Sequence, residues 1–498
     1  MRNLLALTVL LAPLCAGLQA QDLKAFEKRV TEFTLANGLH FIVLEKHDAP
    51  VVSFYTRVNA GSVDDQTGKT GIAHMFEHMA FKGTESIGSK NLALERKALA
   101  NIERVYDQLE QARRQPKPDK AKIEELEKSL KDAIASADAH VESESFTRIM
   151  EDSGAAGLNA STGVDSTQYF VSFPANKLEL WFRLEADRFR YPVFREFYKE
   201  RDVVREEKRM RSESNPQGEL IDAMLAASFQ GHPYRTSPAG FASDIENYRV
   251  ADAEAFRKKY YVPSNMVIAI AGDVDPKEVR ALADRYFAPM PAAPVPAPVV
   301  TVEPKQNGER RVTIESQAQP MLLIGYKRPE ATHKDDTVFD VLDGILAGGR
   351  TGMLYKELVE KRKIALAAAT GSGFPGVKYP NLYIFFALPN AGKTVDEVEK
   401  AMYEIIEGVK AKPVDETTLK RVKTTVRAGL IRQLDSNAGM AQNMATFHAM
   451  FGDWRKLFES VEEIDKVTAA DVQRVAKEYF VDKTKTVAYH VKPKAEAN

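Results

Sequence analysis

His74-Met75-Phe76-Glu77-His78-Met79-Ala80-Phe81-Lys82-Gly83-Thr84 is the stretch on which the reading of this chain turns. Two imidazoles stand four residues apart, with a carboxylate one residue before the second. On an α-helix, positions i and i+4 share a face, so both rings can reach one metal ion. Glu77, at i+3 from His74, lies on the adjoining part of that face. Two histidines and a carboxylate around Zn2+, with water in an open fourth position, form the donor set of a hydrolytic zinc site. The order H-x-x-E-H inverts the commoner H-E-x-x-H. The competing reading is an exposed helix that merely carries two histidines, and these residues alone leave it open.

Upstream of the motif, Thr31-Glu32-Phe33-Thr34-Leu35, the turn Asn37-Gly38, His40 to Leu44 and Val51 to Tyr55 alternate as strands do. Asp64 to Lys69 is a polar loop, Thr70 is the expected N-cap of the motif helix, and Gly83 its expected stop. Downstream, Leu92 to Gln111 and Lys120 to His140 are rich in Ala, Glu, Lys, Leu and Arg, with a breaker at Arg113 to Pro118 between them. They predict a charged helical hairpin whose charge is a solvated face, not a binding surface. Leu158 to Thr162 and Thr167 to Phe173 read as strands, residues 176–190 and 197–214 as helices, and Val267 to Ala271 as a fully apolar strand.

Residues 288–304 hold Pro289, Pro291, Pro294, Pro296, Pro298 and Pro304 among Ala and Val, a stiff, extended segment that reads as a linker. Beyond it the pattern starts again. Arg311 to Ile314, Met321 to Tyr326 and Asn381 to Phe386 read as strands. Residues 336–346 and 352–361 read as helices, and long helices follow. The expected fold class is α+β, with two similar domains at 21–287 and 305–498, each a mainly antiparallel sheet packed with helices. A diverged duplication would produce this pattern, but identity between the halves is too low to establish one.

At 498 residues the chain is long enough for two or more domains. With 28% charged residues and a formal net charge of −1, it offers no electrostatic case for nucleic acid or an anionic membrane surface. Residues 1–20 read as a signal peptide: Arg2, an apolar run from Leu4 to Leu14, and Leu18-Gln19-Ala20 as the cleavage site. The run is short for a membrane span, though an uncleaved anchor is the alternative. Cys15, the only cysteine, lies inside it, and bulky Leu14 before it disfavours a lipoprotein site. The expected location is periplasmic or secreted.

Two histidines need a third ligand. Among the nine histidines, His140 falls in the charged hairpin and His232 in a loop before Pro233-Tyr234. Glu200 and Glu207 are seven apart, two helical turns, and share a face, whereas Glu206 points about 100° away. One could bind metal while the other anchors a ligand ring. An exposed acidic helix pairing with Arg201, Arg205 and Lys208 is the alternative.

The motif, Leu158 to Thr162, Glu200 to Glu207, His232-Pro233-Tyr234, Ser264-Asn265-Met266 and Gly272-Asp273, in that order, resemble the pitrilysin- and insulinase-type metallopeptidases. This is the inverzincin group that includes the mitochondrial processing peptidases. The resemblance implies that Glu207 is the third ligand of one Zn2+ per chain and that Glu200 supports the site. It also implies that Glu77 is the general base acting on a water whose pKa zinc lowers to roughly 7, and that the substrate adds a strand along Asn159, Ala160, Ser161 and Thr162. The chain places more residues between His78 and Glu207 than the family usually does, and the excess matches an insertion at about 91–145. Family members that form complete clam-shells carry an Arg and a Tyr, seven apart, in the C-terminal half. Here those positions hold Val359 and Leu366. The resemblance therefore implies half of a clam-shell, completed by a homologous partner subunit or by a second copy. The expected function is a zinc endopeptidase acting on peptides or unfolded segments. The rival is a non-catalytic assembly subunit of the same fold.

Overall fold

The structure, a computed structural model, describes residues 26–493, so the expected signal segment lies outside the described residues. The opening alternation forms β1 (Val30–Thr34), β2 (His40–Glu45) and β3 (Val51–Val58). The later hairpin is β4 (Ala156–Thr162) with β5 (Thr167–Pro174), and the apolar run becomes β6 (Met266–Gly272). These strands make one sheet in the order β1-β2-β6-β3-β5-β4, parallel only between β2 and β6.

Residues 288–304 contain neither strand nor helix; Ala288 and Pro289 lie in the turn that follows the helix Pro276–Tyr286. After them come β7 (Arg310–Glu315), β8 (Leu322–Arg328), β9 (Ala365–Phe374), β10 (Asn381–Pro389) and β11 (Lys485–Val491). Their sheet runs β7-β11-β8-β10-β9, parallel only between β7 and β11. Strand for strand this repeats β2-β6-β3-β5-β4, including the place of the single parallel pair. The α+β class therefore holds, and the duplication that residue identity could not establish is visible in the topology. The helix Asp336–Ala347 follows β8 as the motif helix Ile72–Met79 follows β3, yet it carries no histidine.

Successive strand residues face opposite ways, so a strand covered on both sides must be apolar throughout. Phe41 and Val43 of β2 join a core with Trp181 and Phe182, whereas Ile42 and Leu44 join another with Met440, Ala441 and Met444. The last three lie on the helix Asn437–Phe451, which belongs to the second half of the sequence. In return, the helix Pro216–Ser228 sets Leu220, Met224 and Leu225 against Leu323 and Ala488 of the second sheet. Each half lends a helix to the other's sheet. Each large apolar side chain so buried contributes about 1.5–3 kcal/mol.

Both expected ends of the motif helix are corrected. Thr70 is not the cap; its hydroxyl donates to Asp244 at 2.7 Å. The helix begins after Gly71, at φ +88°, and the free N–H groups of Gly71 and Ala73 donate to the Asp65 carboxylate at 2.6 and 3.0 Å. A carboxylate from the preceding loop thus does the capping and favours the positive end of the helix dipole. The helix ends at Met79, four residues before Gly83. Gly83 instead makes a turn at φ +91°, where an added Cβ would sit 2.5 Å from the Ile87 carbonyl oxygen.

The expected charged hairpin is Leu92–Arg113 with Lys120–Asp138, capped by Asn91 and Asp119. Its stripe of Ile102, Tyr106, Leu109, Leu126, Ala133 and Ala137 is buried and most of its charges, Glu95 excepted, face solvent. At its base the fully buried Glu95 accepts a hydrogen bond from Arg195 Nε at 2.7 Å. The same guanidinium donates to the carbonyls of Lys82, Thr84 and Ile87 at 2.8 to 3.0 Å. The insertion is therefore fastened to the loop that leaves the motif helix.

Candidate metal centre

The motif helix packs against both β4 and the helix Phe197–Lys208, which brings Glu200 and Glu207 to the two histidines. His74 Nε2 and His78 Nε2 lie 3.2 Å apart. Glu207 Oε2 is 3.5 Å from the first and 3.6 Å from the second. A tetrahedral site with bonds of about 2.0–2.1 Å has ligand–ligand edges of roughly 3.3–3.4 Å. The triangle of donors matches such a face, and the residues fit Zn2+.

The surroundings treat the two rings differently. In His78 burial, which lowers the pKa, is outweighed by the hydrogen bond and charge of Glu200, which raise it, whereas His74 has no such partner among the described residues. Burial pushes the pKa of His74 down to about 3, with His78 as the next contribution, so the ring is neutral at pH 7. His78 Nδ1 lies 2.7 Å from Glu200 Oε1, an arrangement that places the proton on Nδ1 and leaves the Nε2 lone pair facing Glu207. Burial is the largest single influence on Glu200 and opposes its charge. It is outweighed by the hydrogen bonds from His78 and Lys82, which hold its pKa at about 2. Lys82 Nζ sits 2.6 Å from Glu200 Oε2. Arg211 pairs with Glu207 Oε1, leaving Oε2 for the shared point.

Glu77 is 9% exposed and is not part of the donor triangle. Its Oε2 accepts the Thr162 hydroxyl proton at 2.7 Å. Burial pushes its pKa up, and the Thr162 hydrogen bond works against that rise. A carboxylate held in this way is a competent proton acceptor.

Asn159, Ala160, Ser161 and Thr162 lie on β4, one edge of the first sheet, which among the described residues pairs only with β5. The other side of β4 presents backbone groups free of sheet pairing. Glu206 points away and pairs with Arg209. His140 and His232 do not join the cluster. Sequence reasoning missed Lys82, Arg211 and the contact of Thr162 with Glu77. Lys82 is four residues after His78 and Arg211 four after Glu207, so helical spacing carried a signal for both. Lys82 lies past the helix end, Arg211 lies in a π-turn over Arg209–Glu213, and the Thr162 contact is tertiary.

The family signature described as "Insulinase (Peptidase family M16)" matches residues 41–112 and 130–240. The signature described as "Peptidase M16 inactive domain" matches residues 247–426. The gap at 113–129 falls at the tip of the helical hairpin. The zinc protease PqqE of Helicobacter pylori is 27% identical over 497 residues, covering 98% of each chain. A crystal structure of a protease from Helicobacter pylori shares the fold at a TM-score of 0.78 and 26% identity, over 93% of this chain and 99% of that one. The periplasmic protease PqqL of Escherichia coli is similar in fold alone, at a TM-score of 0.67 and 16% identity, and this chain matches 48% of its length. The two M16 signatures between them span most of the sequence, and the chain belongs to the M16, insulinase-type, family of peptidases.

Proposed function

We propose that the protein is a zinc-dependent endopeptidase that hydrolyses peptides or unfolded polypeptide segments. The observation that carries this reading is the convergence of His74 Nε2, His78 Nε2 and Glu207 Oε2 at 3.2 to 3.6 Å from one another. These three residues would hold one Zn2+. Bound there, zinc supplies Lewis acidity and lowers the pKa of a water to roughly 7. Glu77 takes the proton of the attacking water and returns it to the leaving amine. Glu200, clamped by Lys82, fixes the His78 ring, and Thr162 fixes Glu77. The open side of β4 receives the substrate as an added strand, whose backbone hydrogen bonds give affinity with little dependence on sequence.

The chamber is proposed to need a second wall. Val359 and Leu366 stand where resemblance expects Arg and Tyr, and Leu366 is 53% exposed on β9, the edge of the second sheet. The chain also matches only half the length of the PqqL fold neighbour. A homologous partner is the preferred second wall, and a second copy the next choice. The reading of residues 1–20 as a signal segment supports a periplasmic or secreted location, which cell fractionation checks.

The decisive experiment is Glu77→Gln. The variant is expected to keep zinc, by elemental analysis, while peptide hydrolysis falls by about 10²–10⁴-fold. Loss of the metal together with activity would remove Glu77 from the role of base. Activity of wild type that survives a chelator would refute the zinc reading itself.

A further inference from the structure

A second group of metal-ligating side chains lies away from the catalytic cleft, where the first sheet meets the helix Asn437–Phe451 borrowed from the second half. In the β1–β2 register Thr34 stands opposite His40, and Glu32 is two residues before Thr34 on the same face. His448, in the last turn of the borrowed helix, stacks on His40 with ring centroids 3.9 Å apart and planes within 9°. Glu32, His40 and His448 each offer a donor atom within 4.8 Å of the others.

Two of these atoms are anomalous. His40 Nε2 and His448 Nδ1 are both buried, and neither has a hydrogen-bond partner among the described residues. A buried polar atom left unsatisfied costs about 1–3 kcal/mol and calls for an explanation, of which a bound ion is one. The held geometry parallels the catalytic cluster. There Glu200 holds His78 Nδ1 and Arg211 holds the far oxygen of Glu207. Here Thr34 Oγ1 holds His40 Nδ1 at 2.9 Å, and Arg455 holds Glu32 Oε1 at 3.0 Å. In both, a ring Nε2 and the second carboxylate oxygen are left facing each other, here at 3.7 Å.

We infer that Glu32, His40 and His448 form a second site for a divalent transition-metal ion of the zinc class, a structural staple between the β1–β2 hairpin and the borrowed helix. Two imidazoles and a carboxylate suit zinc, cobalt or nickel, and Glu32, one-third exposed, leaves water access to the remaining position. Parallel rings cannot both aim a lone pair at one ion, so loading turns His448 out of the stack.

The test uses the full chain, stripped with chelator and dialysed against micromolar Zn2+ or Co2+, with the catalytic cluster removed by His74→Ala/His78→Ala. This variant is expected to retain about one ion per chain, and adding His448→Ala to abolish that binding. In the wild-type background, Glu32→Gln is expected to weaken the second equivalent about tenfold or more while the metal-free unfolding midpoint stays put, which separates ligand loss from misfolding. The inference is overturned if the His74→Ala/His78→Ala chain holds no ion, or holds it equally well after His448→Ala. Because the catalytic ligands are absent, neither outcome bears on the proposed peptidase mechanism.

Discussion

At the scale of single residues, the site works by holding side chains that would otherwise turn. Glu77 and Thr162 are 85 positions apart in sequence and 2.7 Å apart in space. Thr162→Val is expected to lower kcat about tenfold with zinc content unchanged, and Thr162→Ser to restore most of the loss. Steady-state kinetics beside elemental analysis check both. Lys82→Met removes the cation that clamps Glu200, which in turn fixes the His78 ring. Its expected effect is a zinc affinity weaker by about 10–100-fold, read by competition with a chelator, since partners that orient a ligand usually count for that much. The motif histidines and their spacing were legible from five residues. Support from Glu200 entered through the resemblance, the roles of Lys82 and Arg211 went unread despite their spacing, and the Thr162 pair was not legible, because its two residues lie on separate elements.

At the scale of elements, the motif helix is short, and its ends are set by other segments. Asp65 caps it from the preceding loop, and Arg195 fixes the loop after it by binding three carbonyls. This explains why local capping rules misplaced both termini. The Glu95–Arg195 pair is buried on both sides, and removing one partner leaves the other charge without compensation. Glu95→Ala is expected to cost about 3–5 kcal/mol in chemical denaturation and to loosen the Lys82 loop. Shortening the hairpin tip between residues 114 and 119, which is exposed throughout, should leave stability nearly unchanged. The hairpin itself was readable from composition because its solvent face is polar and its breaker contains two prolines. Its fastening through Glu95 was not, since a lone Glu in a charged helix gives no sign of burial.

At the scale of the whole molecule, the two halves are joined by more than the proline-rich segment. The exchanged helices Pro216–Ser228 and Asn437–Phe451 each complete a core that the other half begins. Met444 is fully buried on the first sheet, and Met444→Ala is expected to cost about 2–5 kcal/mol. Both halves should unfold in one transition, followed by calorimetry. Residues 21–287 expressed alone would expose Ile42, Leu44, Val267 and Ala269 and are expected to aggregate, with co-expression of 305–498 restoring solubility. A soluble, cooperatively folded 21–287 fragment would contradict this account of the packing.

The sequence by itself determined the α+β class, the strands of the first sheet and the H-x-x-E-H spacing, because period, turn residues and ligand spacing are local properties; it left β9 and β11 unread, and Glu207 entered through the resemblance. It could not determine which face of each sheet was covered by which half. An apolar strand records that it is buried and not what buries it. Only the tertiary structure decided that the halves repeat one topology and exchange helices, and that Thr162, Lys82 and Arg211 converge on the cluster of His74, Glu77, His78 and the two glutamates Glu200 and Glu207. Each of these depends on contacts between residues distant in the chain, whose geometry is fixed by packing and leaves no periodic trace in the order of residues.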